Sequence, residues 1–255
     1  MAGFHLVTDL DGTWLPAPGQ AVHLRRLEAA VAASPGAVLT FATGRTFASV
    51  QEAMDRWSLR PPHHLICDVG TGLFHRLSTG AWVEDAAWAG RVAGAWDSEA
   101  AERVERNLPP GVTAQPGVRP RHRLALQVEA GCDLTTAEAG LRDACRNQGL
   151  AADLLPSHGL YLDVLPPGVH KGSALEFLQA SSGLPRPVVG CGDSANDLTL
   201  FEVSDHPVLM LDGLGDHEAP PWLLHRAHRT LVPGPQGIHR ALIAFGLLEE
   251  DDHGH

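Results

Sequence analysis

Three short polar loops carry the residues of this sequence whose types and spacing could do chemistry. They lie at residues 9–13 (DLDGT), 43–45 (TGR) and 192–197 (GDSAND). Each loop has a structural explanation when taken alone, since Asp-Gly is a turn signal and Thr, Asp and Asn commonly cap helices. A calcium loop of the EF-hand type is excluded at the first of them, because Trp14 and Gln20 stand where glycine and glutamate are required.

The segments around these loops predict that all three lie at one edge of a parallel sheet. Strand patterns cover residues 4–8, 37–45 and 187–193, and helical patterns follow at residues 23–34, 46–57 and 196–203. Strands that alternate with helices of this length favour right-handed βαβ units. Open α/β sheets place their sites at the carboxyl ends of the strands, so we expect the loops to meet there.

Four carboxylates would converge at that edge of the sheet. They belong to Asp9, Asp11, Asp193 and Asp197. Carboxylates so close together repel one another unless a cation lies among them, and hard oxygen ligands of this kind suit Mg²⁺. The metal ion, the N–H groups at the helix starts and the Thr43 hydroxyl would together attract a phosphate group. The loops therefore predict a site for phosphoryl transfer.

The single lysine of the chain lies in a fourth short motif, VHKGS at residues 169–173. The chain has 19 Lys and Arg residues, and all of them except Lys171 are arginines. A helical pattern covers residues 172–182, and an ammonium at a helix start is unfavourable unless an anion compensates it. We expect a bound phosphate to be that anion, because a compact ammonium fits a crowded pocket better than a planar guanidinium. Chance survival of one lysine is the alternative explanation of Lys171.

The alternation of parallel strands and helices is interrupted after about residue 82. The expected elements there are helical material at 82–108, a strand at 122–130, a helix at 134–148 and extended stretches near 151–155 and 160–166. We interpret residues 83–166 as an α+β domain inserted into a discontinuous α/β core of residues 1–82 and 167–255. The core is also expected to contain strands at 64–70 and 206–213 and a last helix at 236–248.

The composition argues against several classes of partner. The chain has 255 residues, of which 44% are hydrophobic, and a formal net charge of −11. Nucleic acid and anionic membranes need a basic face, so we expect neither as a partner. The four cysteines show no CxxC spacing, and the sequence has neither a signal-peptide pattern nor an apolar run long enough to cross a membrane. We expect a soluble cytoplasmic protein, monomeric or a small homo-oligomer, that binds a small anionic molecule.

The four motifs together resemble those of a known family. The ordered set DLDGT, ATGR, HKG and GDSAND is similar to the motifs of the haloacid dehalogenase superfamily of phosphatases, and the insert resembles the type IIB cap of that superfamily. The resemblance covers nearly the whole chain. It implies a Rossmann-like parallel-sheet core and an α+β cap that supplies the substrate contacts.

Some stretches narrow the resemblance within the superfamily. LVTDLDGTWL, FATGR, LICDVGTGL and LDVLPPGVHKGSAL resemble the sucrose-phosphate phosphatase group, although Gly12 stands where that group often has asparagine. DHPVLML and VPGPQGIHRAL resemble mannosyl-3-phosphoglycerate phosphatases instead. The resemblance implies a phosphatase acting on sucrose 6-phosphate or a similar sugar phosphate. The alternatives are a mannosyl-3-phosphoglycerate phosphatase, a phosphomutase, or a sugar-phosphate-binding module without catalysis.

The resemblance also implies roles for the acidic residues. Asp9 would be the nucleophile that forms an aspartyl phosphate, and Asp11 would be the general acid and then the base. Mg²⁺ would be bound by the side chains of Asp9 and Asp193 and by the main-chain carbonyl of Asp11. Asp197 is counted in this metal site, and it would orient the ligands together with Asn196.

The remaining motif residues would bind the substrate. The resemblance implies that Thr43, Gly44 and Lys171 bind the phosphoryl oxygens, and Asn196 is grouped with them. Arg45 would reach either the phosphate or the sugar.

Two features of the insert have competing explanations. Trp82, Trp88 and Trp96 could stack on a sugar ring, but tryptophans at helical spacing are expected to be part of a core. Residues 121–123 (RHR) form a basic patch, which we expect to be the solvated end of a strand.

Overall fold

The computed structural model describes residues 3–157, 159–215 and 218–249. The strands are, in chain order, β1 (His5–Thr8), β2 (Val38–Ala42), β3 (His64–Cys67), β4 (Gly72–Arg76), β5 (Trp82–Glu84), β6 (Val112–Ala114), β7 (Leu124–Val128), β8 (Asp153–Ser157), β9 (Tyr161–Leu165), β10 (Val188–Gly192), β11 (His206–Leu209) and β12 (His228–Arg229). The α-helices are α1 (Ala21–Ala33), α2 (Phe47–Trp57), α3 (Ala86–Ala95), α4 (Ser98–Arg106), α5 (Leu134–Asn147), α6 (Lys171–Ser182), α7 (Leu198–Val203), α8 (Pro221–Arg226) and α9 (Gly234–Ala244). Within the described ranges the strands form an eight-stranded sheet, ordered β12-β11-β10-β1-β2-β3-β4-β5, and a four-stranded sheet, ordered β6-β7-β9-β8.

The strand β1 lies inside the larger sheet, and all four of its residues are buried. It pairs in parallel with β10 on one side and with β2 on the other. The strands β3, β11 and β12 continue this parallel arrangement, whereas β4 and β5 are antiparallel. The predicted parallel α/β core is therefore confirmed. Because β1, β2 and β10 run in the same direction, the loops that follow them emerge at the same edge.

Helices cover both faces of this sheet. Leu6 of β1 belongs to a buried cluster with residues of α1, α2 and α9, whereas its neighbour Val7 belongs to a cluster with residues of α3, α6 and α7. Successive side chains of a strand point to opposite faces, so both must be apolar when both faces are covered. This double coverage explains why β1 is a continuous run of buried residues.

The smaller sheet is the centre of the insert. Its strands β6, β7, β9 and β8 pair antiparallel. Val104 of α4 and Leu141 of α5 are fully buried in one cluster with Leu126 and Leu162 of the sheet. The α+β character predicted for the insert is confirmed by this arrangement.

The segment that begins at residue 82 differs from the predicted helix. Residues 82–84 form β5 at the edge of the larger sheet, and α3 begins after Asp85, whose carboxylate accepts a hydrogen bond from the Trp88 N–H. Backbone hydrogen bonds to β4 favour a strand at residues 82–84, where the sequence pattern had suggested a helix. Trp88 and Val92 of α3 pack in the core cluster that contains Val7. The division into core and insert stays a prediction, and α3 packs against the core although it lies within the predicted insert.

Several other element ends differ from the predictions. The strand expected at 64–70 ends at Cys67, and Asp68–Gly70 form a tight turn instead. The strand expected at 206–213 ends at Leu209. The last helix spans Gly234–Ala244, because Gly246 adopts a φ of 69° and its N–H bonds the Ile243 carbonyl. The short elements α8 and β12 were not predicted.

The three tryptophans named above are structural, as expected. Trp88 is fully buried, and its indole N–H donates a 2.9 Å hydrogen bond to the Gly70 carbonyl. Trp96 belongs to the buried cluster of the insert, and Trp82 packs edge-on against Phe47.

No helix in the described part of the chain combines the length and apolar character needed to cross a bilayer. The four cysteines are all free thiols, and Cys132 is the exposed one among them.

Candidate active site

Asp9 directly follows the central strand β1 and begins the first loop of the site. Residues Leu10–Trp14 form one wide turn, closed by a hydrogen bond from the Trp14 N–H to the Asp9 carbonyl, in which Gly12 adopts a φ of 77°. A side chain at Gly12 would also collide with the third loop, because its Cβ would lie 2.6 Å from Asp193 Oδ2. Glycine therefore lets the first loop approach the carboxylate that follows β10.

Three carboxylates meet where β1 and β10 end. Asp9, Asp193 and Asp197 each offer one oxygen, and these oxygens all lie within 4.8 Å of one another. The Thr13 hydroxyl donates a 3.1 Å hydrogen bond to Asp193 Oδ1 and so orients it. The Asp11 side chain was expected to join this group, but it is 55% exposed and pairs with an arginine instead.

Lys171 is the first residue of α6, and it is wholly buried beside these carboxylates. Its Nζ donates hydrogen bonds to Asp9 Oδ1 (2.9 Å), Asn196 Oδ1 (2.7 Å) and Asp197 Oδ1 (2.7 Å). An ammonium has three N–H bonds, so these contacts use all of them. The anions that balance Lys171 are therefore carboxylates of the protein rather than the phosphate that the sequence suggested. Its role as a phosphate ligand stays a prediction.

The charges of this cluster shift the pKa values of its members. Burial alone would lower the pKa of Lys171, but the charges of Asp197 and Asp9 outweigh it and raise that pKa above its usual range. Burial raises the pKa of Asp9, and Lys171 opposes only part of that shift. With Asp193 the cluster holds three carboxylates against one ammonium. A divalent cation would balance this excess of negative charge, and carboxylate oxygens are the ligands that suit Mg²⁺.

Asp197 holds the third loop in place. Its Oδ2 accepts hydrogen bonds of 3.1 Å from the backbone N–H groups of Asp193 and Ser194, while its Oδ1 accepts from Lys171. Gly192 is required beside it, because a Cβ at that position would lie 2.4 Å from Asp197 Cγ. Both oxygens thus serve to orient the loop and the lysine. Direct binding of a metal ion by Asp197 stays a prediction.

Arg45 forms a two-point ion pair with Asp11. Its Nε and Nη2 donate hydrogen bonds of 2.6 and 2.7 Å to the two carboxylate oxygens, and its Nη1 donates to the Ser49 hydroxyl. Thr43 is buried nearby, and its hydroxyl accepts a hydrogen bond from the Arg45 N–H at 3.2 Å. The guanidinium therefore orients Asp11, and its contact with a phosphate or sugar stays a prediction.

A cavity of about 600 Å³ joins these residues to the insert. Its lining on the core side includes Asp9, Asp11, Thr43, Gly44, Arg45 and Asn196. Its lining on the side of the insert includes Gln115, Val118, Ser157 and Tyr161. The volume is in the range of sites for small organic molecules. A ligand in the cavity would contact both parts of the chain.

Comparison with known proteins establishes the family. Residues 3–232 match the model of the family described as Sucrose-6F-phosphate phosphohydrolase. The chain belongs to this family. Its place in the haloacid dehalogenase superfamily, which the motifs suggested, is confirmed.

Two relatives cover most of the chain. Probable sucrose-phosphatase 2 of Arabidopsis thaliana is 31% identical over 223 residues, which are 85% of this chain and 50% of that protein. The glucosylglycerol-phosphate synthase of Pseudomonas anguilliseptica is 34% identical over 252 residues, which are 95% of this chain and 31% of that protein. The chain therefore spans half the length of the first relative and about a third of the second.

A solved structure confirms the fold of the family. The sucrose-phosphatase of Synechocystis sp. PCC6803, determined in complex with sucrose and phosphate, matches with a TM-score of 0.80 at 24% identity. The match covers 96% of this chain and 99% of that one.

One residue of the basic patch is not at the solvated end of a strand, so the prediction for it was wrong. Arg121 is exposed, as expected of a strand end, but Arg123 is 5% exposed and forms ion pairs with Asp68 and Asp163. The sequence could not show this, because two of its partners lie 40 and 55 residues away along the chain.

Sequence reasoning also missed the insert residues that line the cavity. Tyr161 is the single tyrosine of the chain. The compositional signal that drew attention to Lys171 would have found it as well. Gln115 and Ser157 carry no such signal, because polar residues of these types are common on any surface.

Proposed function

We propose that this member of the family is a Mg²⁺-dependent phosphatase that hydrolyses a sugar phosphate monoester through an aspartyl-phosphate intermediate. One observation carries the proposal. The Asp9 carboxylate lies at the end of the central strand, accepts a hydrogen bond from the buried Lys171, and lines a cavity shared with the insert. A nucleophile needs this combination of fixed direction, compensated charge and access to substrate.

In the proposed reaction Asp9 attacks the phosphorus atom and forms a covalent acyl phosphate. The departing sugar oxygen takes a proton from Asp11, which then removes a proton from the water that hydrolyses the intermediate. The ion pair with Arg45 fixes the direction of the Asp11 side chain towards the cavity that both residues line. Lys171 keeps the Asp9 carboxylate oriented while its charge changes.

The carboxylates next to Asp9 fit a magnesium ion. Asp9 and Asp193 would hold it with their side chains and Asp11 with its main-chain carbonyl, while Asp197 and Asn196 orient them. Bound Mg²⁺ would reduce the repulsion between an anionic nucleophile and an anionic ester.

Sucrose 6-phosphate is the leading substrate, and the family membership supports it. A second candidate is a glucosylglycerol phosphate, because the synthase named for that compound is the relative at 34% identity. Mannosyl-3-phosphoglycerate is a third. The predicted cytoplasmic location, the monomeric or small homo-oligomeric state and the absence of nucleic-acid and membrane partners remain part of the proposal.

A substrate panel tests the class and the sugar together. Release of inorganic phosphate is measured for the three candidate esters with Mg²⁺, then with excess chelator, and again after Mg²⁺ is restored. We expect one ester to be preferred and its hydrolysis to need the metal. Retention of the phosphoryl group on the sugar, followed by ³¹P NMR, would identify a phosphomutase instead. Absence of turnover for every ester would favour the binding module and contradict the proposal.

The nucleophile is tested by Asp9→Asn, with Asp55→Asn on the exposed surface of α2 as the matched control. We expect Asp9→Asn to lower kcat by roughly 10,000-fold or more, since an amide cannot form the acyl phosphate. The control should retain wild-type kcat. Unchanged phosphate release in Asp9→Asn would exclude Asp9 as the nucleophile.

A further inference from the structure

Arg123, which immediately precedes β7, is a buried cation with partners on two sides. Its Nη1 donates to Asp163 Oδ1, and its Nη2 donates to Asp68 Oδ1 at 3.2 Å and to the Gly44 carbonyl at 2.8 Å. Only 3% of its side chain is exposed, and that part borders the cavity that Asp9 lines. A guanidinium presents its N–H groups as a planar fork, so one arginine can bind acceptors that lie in different directions.

These partners belong to different parts of the protein. Asp163 lies on β9, next to β7 in the sheet of the insert. Asp68 follows β3, and Gly44 lies in the loop after β2, so both belong to the core. Arg123 therefore connects the sheet of the insert to the loop that contains Thr43 and Arg45.

The backbone at Asp68 is strained in a way that serves this contact. Asp68 and Val69 adopt φ values of 51° and 59°, a region that L-residues rarely use and that is least favourable for a β-branched residue such as Val69. The turn is held to the loop that contains Thr43 and Arg45, since the Asp68 N–H donates to the Arg45 carbonyl and the Val69 N–H to the Thr43 carbonyl. The strained turn thus places the Asp68 carboxylate against Arg123.

The other end of the same turn touches the start of α6. A Cβ at Gly70 would lie 2.3 Å from the His170 carbonyl carbon and 2.7 Å from the Lys171 nitrogen. The Gly70 carbonyl also accepts the hydrogen bond from the Trp88 indole. The turn that begins with Asp68 is therefore bonded to Thr43 at one end and packed against the backbone of Lys171 at the other.

We propose that Arg123 is a positioning residue that docks the insert on the core and fixes the cavity-lining side chains of the insert relative to Asp9. A sugar phosphate large enough to contact both parts needs this alignment, whereas a small ester that occupies only the core side does not. The kinetic consequence rests on the proposed phosphatase activity, but the docking itself does not.

Docking is measured as a distance between the two parts. Cys132 is exposed on the insert, and the other three cysteines are buried, so a spin label attaches selectively to Cys132. A second label at Ala29→Cys, on the exposed surface of α1, gives a pair for pulsed EPR. We expect a narrow distribution of distances between the two labels in the protein that carries no further substitution. In the Arg123→Met variant this distribution of distances should broaden towards longer values.

Two further variants keep this test decisive. Asp68→Asn removes the core-side charge, and asparagine tolerates a positive φ well, so this variant should fold and still broaden the distribution. Arg121→Met removes a neighbouring arginine that is 76% exposed, and because its ion pair with Glu84 is exposed and 3.9 Å long, the distribution should change little. A wild-type distribution in folded Arg123→Met and Asp68→Asn would overturn the proposal.

Kinetics separate positioning from a general structural role. We expect Arg123→Met to lower kcat/KM for the preferred sugar phosphate by roughly 100-fold, because small misplacement of binding groups has effects of this size. For a small aryl phosphate the loss should stay under about 3-fold. The kcat/KM of Arg123→Lys for the sugar phosphate should lie between the values of the wild type and of Arg123→Met. Equal losses for both substrates would overturn the positioning role, and a wild-type protein that hydrolyses no ester would contradict the proposed function while leaving the distance result valid.

Discussion

Lys171 and Arg123 are both buried cations held by two carboxylates and one neutral oxygen. The partners of Lys171 are Asp9, Asp197 and the amide oxygen of Asn196, and those of Arg123 are Asp68, Asp163 and the carbonyl of Gly44. The three acceptors of the Lys171 ammonium lie around one atom in the core. The Arg123 guanidinium donates to acceptors in both the core and the insert. The shape of each cation therefore corresponds to its position, a compact charge beside a reacting carboxylate and a fork between two structural units.

The surroundings of the two cations differ as well. A third carboxylate, Asp193, lies next to the Lys171 cluster, so that cluster has charge left to bind a metal ion. Around Arg123 there are two carboxylates, and burial raises the pKa of both Asp68 and Asp163 although Arg123 opposes the shift. The cluster around Lys171 is suited to metal binding and catalysis, whereas the cluster around Arg123 is suited to holding the insert against the core. Four experiments test this contrast.

Replacement of Lys171 by methionine should have the largest effect. Without the ammonium, Asp9 loses a cation that favours its charged form, so the pKa of Asp9 rises further and a smaller fraction of the nucleophile is ionised. We expect kcat/KM for phosphate release to fall about 1,000-fold or more. Circular dichroism controls for folding, and a folded variant within 10-fold of wild-type kcat/KM would show that the charge of Lys171 is dispensable.

Replacement of Arg123 by methionine should act on stability, and the effect should depend on pH. Removing one partner of a buried ion pair leaves the other charges uncompensated, which costs about 3 kcal/mol or more in the free energy of unfolding near pH 8. The folded-state pKa values of Asp68 and Asp163, already raised, rise further, so the folded protein takes up protons as pH falls. The variant should therefore be less destabilised near pH 5 than near pH 8.

Urea denaturation of wild type and Arg123→Met at the two pH values measures this difference. Arg121→Met is the control, because its exposed side chain should cost little at either pH. A destabilisation of Arg123→Met that is the same at both pH values would mean that the two carboxylates do not carry the effect.

Replacement of Lys171 by arginine keeps the charge and changes only its shape. The three acceptors lie 2.7 to 2.9 Å from Nζ in a fully buried site, where a larger planar group cannot reproduce the same three contacts. We expect kcat/KM to fall roughly 100-fold, as for the loss of one preorganised donor. Steady-state kinetics with the preferred ester measures this loss of kcat/KM. Activity close to wild type would show that the site does not require lysine rather than arginine at position 171.

Removal of the neutral acceptor of Lys171 should have the smallest effect. In Asn196→Ala the ammonium keeps both carboxylates and loses one hydrogen bond, so we expect kcat/KM to fall about 10-fold. The magnesium concentration for half-maximal activity is measured in parallel, to show whether Asn196 also orients the metal ligands. A loss as large as that of Lys171→Met would mean that Asn196 contacts the substrate directly.

The two cations also show how far the sequence alone could lead. Lys171 was found because it is the single lysine and stands next to a glycine in an ordered set of motifs. Arg123 is one of many arginines, and its importance depends on Asp68 and Gly44, which reach it only when the insert folds back on the core. The core was predictable, because each site residue follows a strand whose neighbours were also recognisable.

The edge of the core sheet was harder to predict for a physical reason. Residues 72–84 contain two short strands around Ser78, Thr79 and Gly80, which is a hairpin pattern. The helical periodicity of the alanine-rich segment that follows masked it. Likewise the exposed position of the Asp11 side chain depends on its pairing with Arg45, which no local pattern shows.

The scarcity of two residue types gives a direct experimental advantage. Lys171 is buried behind the cavity and bonded to Asp9, which lines it, and Tyr161 lines it from the insert; each is the single residue of its type. A sample isotopically labelled in lysine and tyrosine alone would therefore give NMR signals from one ammonium group and one aromatic ring, which need no further residue assignment. Titration of metal would be followed at the first and titration of sugar at the second, in the unmodified protein.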